Sequence, residues 1–271
     1  MNKVTHQLRG MIWYELKMHW RRRTLKILMI ALFALIVITS LLQHTEDFEK
    51  NVYEPVKDET GLSDAELNTW FAIFSTWFVG AVTLGFMLPI GVADTIPLDR
   101  QSGVSELFHS FPLSHGIYLL GKVMGVLAAV LWGNFVLMVI TGVLWWFFLG
   151  GYNPLPYIGM WMMGLGILTV LNGGMGVLLT ATQPNRLRAV LLIIGCMFIL
   201  PNFLGMDSNI RESADLWDFI SPLRWPIFAY YIRINQGGAL TDAVITAVVG
   251  IGELILTGVV MWGWLRWKEQ H

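Results

Sequence analysis

Charge is what this chain of 271 residues has least of: Asp, Glu, Lys and Arg make up 14% of it, against 55% hydrophobic residues. A soluble domain carries roughly a quarter charged residues, and the mean hydropathy here is +0.58. Cysteine is nearly absent too. The one thiol, Cys196, lies inside an apolar run, so no intrachain disulfide can form and it reads as a small hydrophobe. The six histidines (His6, His19, His44, His109, His115 and His271) show no pair at metal-ligand spacing on one helix, and no HExxH occurs, so no metal ligand set is expected. A Ser/His/Asp arrangement is lacking, as is any internal repeat. Basic patches of the kind that bind nucleic acid are missing, because Lys and Arg stand at the ends of apolar runs.

What is present is a series of apolar runs of about 20 residues, the length that crosses a ~30 Å hydrocarbon core as a helix. Six spans are predicted, over 25–42, 70–92, 119–149, 158–181, 187–204 and 243–267. The expected fold class is therefore an all-α polytopic membrane protein, with residues 1–271 forming one transmembrane domain. The third and sixth spans exceed what a bilayer needs, so they tilt, kink or protrude. The first follows Arg21, Arg22 and Arg23 but is long for a signal sequence, and no small-x-small cleavage site follows it. It reads as a retained span.

Lys and Arg set the orientation. Seven basic residues lie before or at the very start of the first span (the last is Lys26), whereas 44–69 holds eight acids against Lys50 and Lys57. Placing the N-terminus, Arg100, Lys122, Arg186, Arg188, Arg266 and Lys268 on one side collects 13 of the 18 basic residues there. Both termini are thus expected on the cytoplasmic side of the cell membrane, with the acidic loop and 205–242 outside. Trp70, Trp145, Trp146, Trp264 and Trp267 are expected near the headgroups, and Trp77 and Trp132 between helices. Residues 7–23 interleave Leu8, Ile12, Trp13, Leu16 and Trp20 with Arg9, Glu15, Lys17 and His19. That pattern predicts an amphipathic helix on the cytoplasmic leaflet.

Between the second and third spans the chain reads Asp99-Arg100-Gln101-Ser102-Gly103-Val104-Ser105-Glu106-Leu107-Phe108. It continues through Phe111-Pro112-Leu113-Ser114 to Tyr118-Leu119-Leu120-Gly121-Lys122. This stretch resembles the signature of ABC-2 type permeases, the membrane subunits of ABC exporters, with Val104 and Phe108 where Thr and Leu are commoner. The resemblance implies an elbow helix at 7–23, a cytoplasmic coupling segment at 94–116 and an external re-entrant segment at 205–242. It also implies partners: two copies of an ABC ATP-binding subunit, a second permease chain (identical or not) and membrane lipids. The chain itself would be a transport subunit without enzymatic activity.

The residues agree with a docking role. Asp99 or Ser102 can cap a short helix and Gly103 permits close approach. Glu106, Leu107 and Phe108 then offer a charge and two apolar knobs to a partner's groove. Asp99, Arg100, Gly103, Glu106, Leu107 and Phe108 are therefore the candidate partner-binding residues.

Gly116 to Lys122 mimics a phosphate-binding loop, but Val123 follows where Ser or Thr belongs, and bulky apolar residues fill the interval. No cofactor is expected in this chain, and ATP and magnesium would be bound by the partner.

Glu253, near the middle of the last span, would cost ~2.5 kcal/mol or more there unless it faces protein or water. With Asn134 and Asn172 it forms the candidate translocation path, although the asparagines read first as interhelical hydrogen-bond glue. Gly250 and Gly252 beside Glu253 suggest a face pressed against another helix. Gly121 and Gly125, and the cluster Gly173, Gly174 and Gly176, predict close helix approach, with a hinge at Asn172-Gly173-Gly174. ABC-coupled signalling or maturation without bulk transport would use the same architecture. An intramembrane enzyme with Glu253 as acid or base would want a partner nucleophile or metal cluster, and the sequence offers none.

Overall fold

The computed structural model describes residues 3–21, 23–43, 45–104, 114–196, 227, 230 and 239–270, and among these it contains no strand. Helix α1 covers Lys3–Arg21 and α2 covers Arg23–Leu42. The acidic stretch predicted as a loop is largely helical. Here α3 (Glu46–Phe48) passes through a π-helical turn, Glu49–Tyr53, into α4 (Glu54–Thr60). Thr45 caps its start, and Gly61 ends it at φ +65°, a left-handed conformation that glycine adopts without strain. Ser63 and Glu66 then form a reciprocal capping box that starts α5 (Asp64–Val82).

A π-helical turn at Thr83–Met87 leads into α6 (Leu88–Val92), and after a two-residue break α7 (Thr95–Gln101) follows. Ser114 caps α8 (His115–Leu149), its Oγ accepting from the Ile117 amide at 3.3 Å. Gly150 at φ +68° stops this helix. Asn68 Nδ2 donates to the helix's last carbonyl oxygen, Leu149 O, at 2.8 Å and to Gly151 O in the following turn at 3.1 Å. Next come α9 (Pro154–Gly159), a π-helical piece Met160–Leu165, and α10 (Gly166–Thr180). Asn185 caps α11 (Arg186–Ile194), and α12 runs over Ala239–Gln270.

Among the described residues, five helical stretches are long and apolar enough to cross a membrane: Arg23–Leu42, Asp64–Gln101, Gly116–Leu149, Pro154–Thr180 and Leu240–Trp267. Each matches an expected span. The fifth expected span, 187–204, begins as α11, but its second half lies outside the described residues, as does most of 205–242.

Side-chain contacts fix the directions. Trp145 Nε1 donates to Thr76 Oγ1 at 3.1 Å, so α5 and α8 run antiparallel. Thr141 and Tyr157 share a hydroxyl hydrogen bond at 2.6 Å and Asn134 meets Thr169, so α9 and α10 also run against α8. The α10–α12 contact differs. Leu171 faces Gly250, Gly174 faces Leu254 and Leu178 faces Gly258. The two helices advance in step and are therefore parallel.

The core lies between α5–α6, α8 and α9–α10, where Trp77, Leu84, Leu88, Val126, Met160 and Leu168 are buried. At the edge, α12 buries 11% of its apolar stretch and α2 28%, against 72% for Asp64–Gln101. The tryptophans divide differently from expectation. Trp77 is buried as predicted, but so is Trp145, whose indole nitrogen needed Thr76, whereas Trp132 points outward at 55% exposure.

Candidate functional site

Three helices meet at a buried group of charges. Glu15 on α1 is fully buried, Lys122 on α8 is 1% exposed and Asp99 on α7 is 4% exposed. The Lys122 ammonium donates to Glu15 Oε1 at 2.5 Å and pairs with Asp99 Oδ2. Tyr118, one turn before Lys122, donates its hydroxyl to the same Asp99 oxygen at 3.0 Å, and its ring centre is 5.6 Å from the ammonium. His19, one turn after Glu15, brings Nε2 to 3.6 Å from Glu15 Oε2. Among the described residues the group holds two carboxylates, one lysine and one imidazole.

Helix periodicity explains the convergence. Met11, Glu15 and His19 repeat every four residues and so lie on one face of α1. That face, all buried, rests on Gly121 and Gly125 of α8. A Cβ at Gly121 would overlap Met11, and one at Gly125 would overlap Glu15 and come within 3.2 Å of the Ile12 carbonyl oxygen. The close approach predicted from these glycines is present, and its partner is α1. The contacts advance together by one turn, so α1 lies alongside α8 rather than across it. Trp13, Tyr14 and Trp20 remain exposed on the other side of α1.

The expected partner-binding residues separate. Asp99 does not cap a helix. It sits inside α7 with its carboxylate committed to Lys122 and Tyr118. Ser102 follows the last turn of α7, its Oγ donating to Leu98 O at 2.8 Å. Arg100 donates to the Gln183 carbonyl oxygen at 3.0 Å, tying α7 to the turn after α10. Arg186 lies 3.4 Å from Asp94 and holds α11 to the same end. Gly103 leaves this platform at φ +70°. Glu106, Leu107 and Phe108 belong to 105–113, outside the described residues.

The candidate path residues also divide. Asn134 is buried, and its Nδ2 donates to Thr169 Oγ1 at 2.7 Å, an interhelical bond that fits the role of glue. Replacing Asn134 by alanine is expected to cost about 1 kcal/mol, measurable as lower thermal stability of the purified protein. Asn172 is buried on α10. Its helix runs unbroken through the predicted hinge, because each glycine receives a neighbour: Leu88 and Leu127 at Gly173, Leu254 at Gly174, Pro89 at Gly176. Glu253 is half-buried on α12. Gly250 packs on Leu171, whereas a Cβ at Gly252 would meet nothing within 4 Å among the described residues, so the contact expected beside Glu253 is found at Gly250.

Sequence reasoning assigned Lys122 to the flanking charges that orient spans and missed its pairing. The usable signal was the shared four-residue repeat: Met11 and Glu15 on one helix, Gly121 and Gly125 on the other, with Lys122 adjoining Gly121. Comparison of the chain with protein-family models and with curated proteins found no match in either case.

Proposed function

We infer that this chain is the membrane-spanning permease subunit of an ATP-driven ABC exporter of the ABC-2 type, with ATP hydrolysed by a separate subunit. The observation that carries this reading is the charge cluster. Asp99 and Lys122 stand at the two ends of the stretch that resembles the ABC-2 signature, and both are held to Glu15 of the N-terminal helix, directly or through Lys122. A segment that receives force from a partner must be anchored to what it moves. Here both of its ends are fastened to α1, which continues towards α2, and to α8. Asp99 and Arg100 then act as anchors, and the docking surface proper is Glu106, Leu107 and Phe108.

Helix direction supports six crossings, which would put both termini on one side, and Lys and Arg place that side in the cytoplasm. Since α10 and α12 run parallel, the chain leaving Thr180 must return to the opposite end of the bundle before Ala239. The stretch beginning with α11 is the apolar run available for that crossing. The exposed Trp13, Tyr14 and Trp20, with Arg9, Lys17 and Arg21 on the same helix, suit the headgroup level at the cytoplasmic end, although α1 runs alongside the start of α8 instead of lying flat on the leaflet as expected. A cysteine at position 60, introduced in a Cys196→Ser background, is expected to react with an impermeant thiol reagent added outside the cell. Labelling only from the cytoplasmic side would reverse the orientation.

The functional reading is tested by purification. The tagged chain, extracted from its native membrane, is expected to bring with it a chain that hydrolyses ATP. Extraction that retains a second membrane chain but no ATP hydrolysis would count against it.

A further inference from the structure

At the end of the bundle opposite the charge cluster, the acidic helical stretch folds over the start of α5 and the end of α8 and leaves a cavity of about 490 Å³. Its walls are aromatic. Phe48 meets Phe71 edge-on with ring centres 5.2 Å apart, Tyr53 stacks on the same ring at 5.6 Å, and Phe148 and Leu149 close another side.

Among the described residues the charged side chains lining the cavity are two acids, Glu49 and Asp64, and one base, Lys57. Glu49 lines it from the π-helical turn and is exposed. Gln43 spends its amide nitrogen on Ser75, and its Oε1 is buried with no hydrogen-bond partner among the described residues. Tyr53 turns its hydroxyl to Asn68 Oδ1 at 3.1 Å, at the cavity wall. The cation on the rim is already engaged: Lys57 Nζ lies 2.6 Å from Asp64 Oδ1, and that carboxylate, by hydrogen bond and charge, holds the ammonium above its ordinary pKa. With Lys57 and Asp64 balancing each other, the charge left over at the cavity is the carboxylate of Glu49. Around it lies a helical stretch in which 44–69 carries eight acids and two lysines.

We propose that this cavity is a binding site for an organic cation, an alkylated ammonium with an apolar body. Ring faces attract such a cation through their quadrupoles, most strongly where water is excluded. The size fits a small ligand, Glu49 supplies the counter-charge, and the surplus of acids raises the local cation concentration before contact. A neutral ligand of the same shape would gain the apolar contact alone, and an anion would be repelled. The site needs neither the partner ATPase nor transport, so it stands or falls separately from the function inferred above.

Radiolabelled benzyltrimethylammonium, measured by equilibrium binding to the full chain in nanodiscs of zwitterionic lipid, tests this. Saturable binding is expected, displaced by unlabelled tetraethylammonium and not by benzyl alcohol at the same concentration. Phe48→Leu keeps apolar bulk and removes a ring face, and it should weaken binding about tenfold. Glu49→Gln should weaken it by a similar factor. Lys57→Met frees Asp64 and should tighten binding several-fold, a gain that damage to folding would not produce. Glu59→Gln changes the charge of the stretch without touching the cavity and should leave affinity within about twofold. Absence of saturable binding, equal displacement by benzyl alcohol, or equal losses in Glu49→Gln and Glu59→Gln would overturn the proposal.

Discussion

Lys122→Met should destabilise the protein by about 3–5 kcal/mol, the range measured when one partner is taken from a buried ion pair. The substitution keeps an unbranched apolar stem of similar length, so little packing is lost. What it leaves behind is the problem: two carboxylates, Glu15 at 0% and Asp99 at 4% exposure, facing each other without the ammonium between them. Thermal unfolding of detergent-purified protein, or the yield of monodisperse protein from membranes, would read the loss. The triple variant Glu15→Gln, Asp99→Asn, Lys122→Met removes all three charges while nearly keeping shape, and its two amides carry donors that the carboxylates lacked. It should regain most of the stability, because desolvating the ions nearly cancels their attraction in such sites. If Lys122→Met were as stable as the parent, the three charges could not be buried together as described.

Gly125→Val is expected to detach α1 from α8. The new Cβ would overlap Glu15 and press on the Ile12 carbonyl oxygen, which is backbone and cannot swing aside. Overpacking of this kind typically costs 1–3 kcal/mol. That is enough to populate a state in which α1 has lifted away, since about 1.4 kcal/mol shifts an equilibrium tenfold. Hydrogen exchange in 3–21 should accelerate by roughly that factor or more, while the apolar helices α5, α8 and α10 keep their protection. Gly10→Ala is the control on the same helix. Nothing lies within 4 Å of a Cβ there, and alanine favours helix by about 1 kcal/mol. It should leave exchange in 3–21 unchanged or slower. Fast exchange in both variants would mean that α1 is not held through Glu15 and Gly125.

The spans were legible because hydropathy over 20 residues is a strong and local signal. Among the described residues the five long apolar helices overlap their expected positions, with Asp64–Gln101 running nine residues past the expected end at 92. The helical character of 46–60 was not legible. Its acids and lysines read as a solvated loop, and nothing local announces that Phe48 and Tyr53 will pack on Phe71. The charge cluster was half legible. Gly121 and Gly125 announced a close contact, but not with which helix, since pairing between distant segments has no local code. Trp145 is buried and Trp132 exposed, the reverse of the burial expected, because a one-residue step along a helix turns a side chain by about 100°. Composition near a span end cannot resolve that angle. Asp99 was read as a cap for a related reason: a carboxylate beside a helix start and one in a buried pair look alike until the lysine is placed beside it.

The central claim is that 99–122 joins this chain to an ATP-hydrolysing partner. The measurement that meets it most directly is ATP turnover by the assembled complex in liposomes, with the parent chain compared to the double variant Glu106→Arg, Phe108→Ala. Truncating a docking anchor typically costs ~2 kcal/mol or more. Turnover stimulated by this chain should therefore fall about tenfold or further, while the variant inserts and yields as much folded protein as the parent. Turnover equal to that of the parent would contradict the claim.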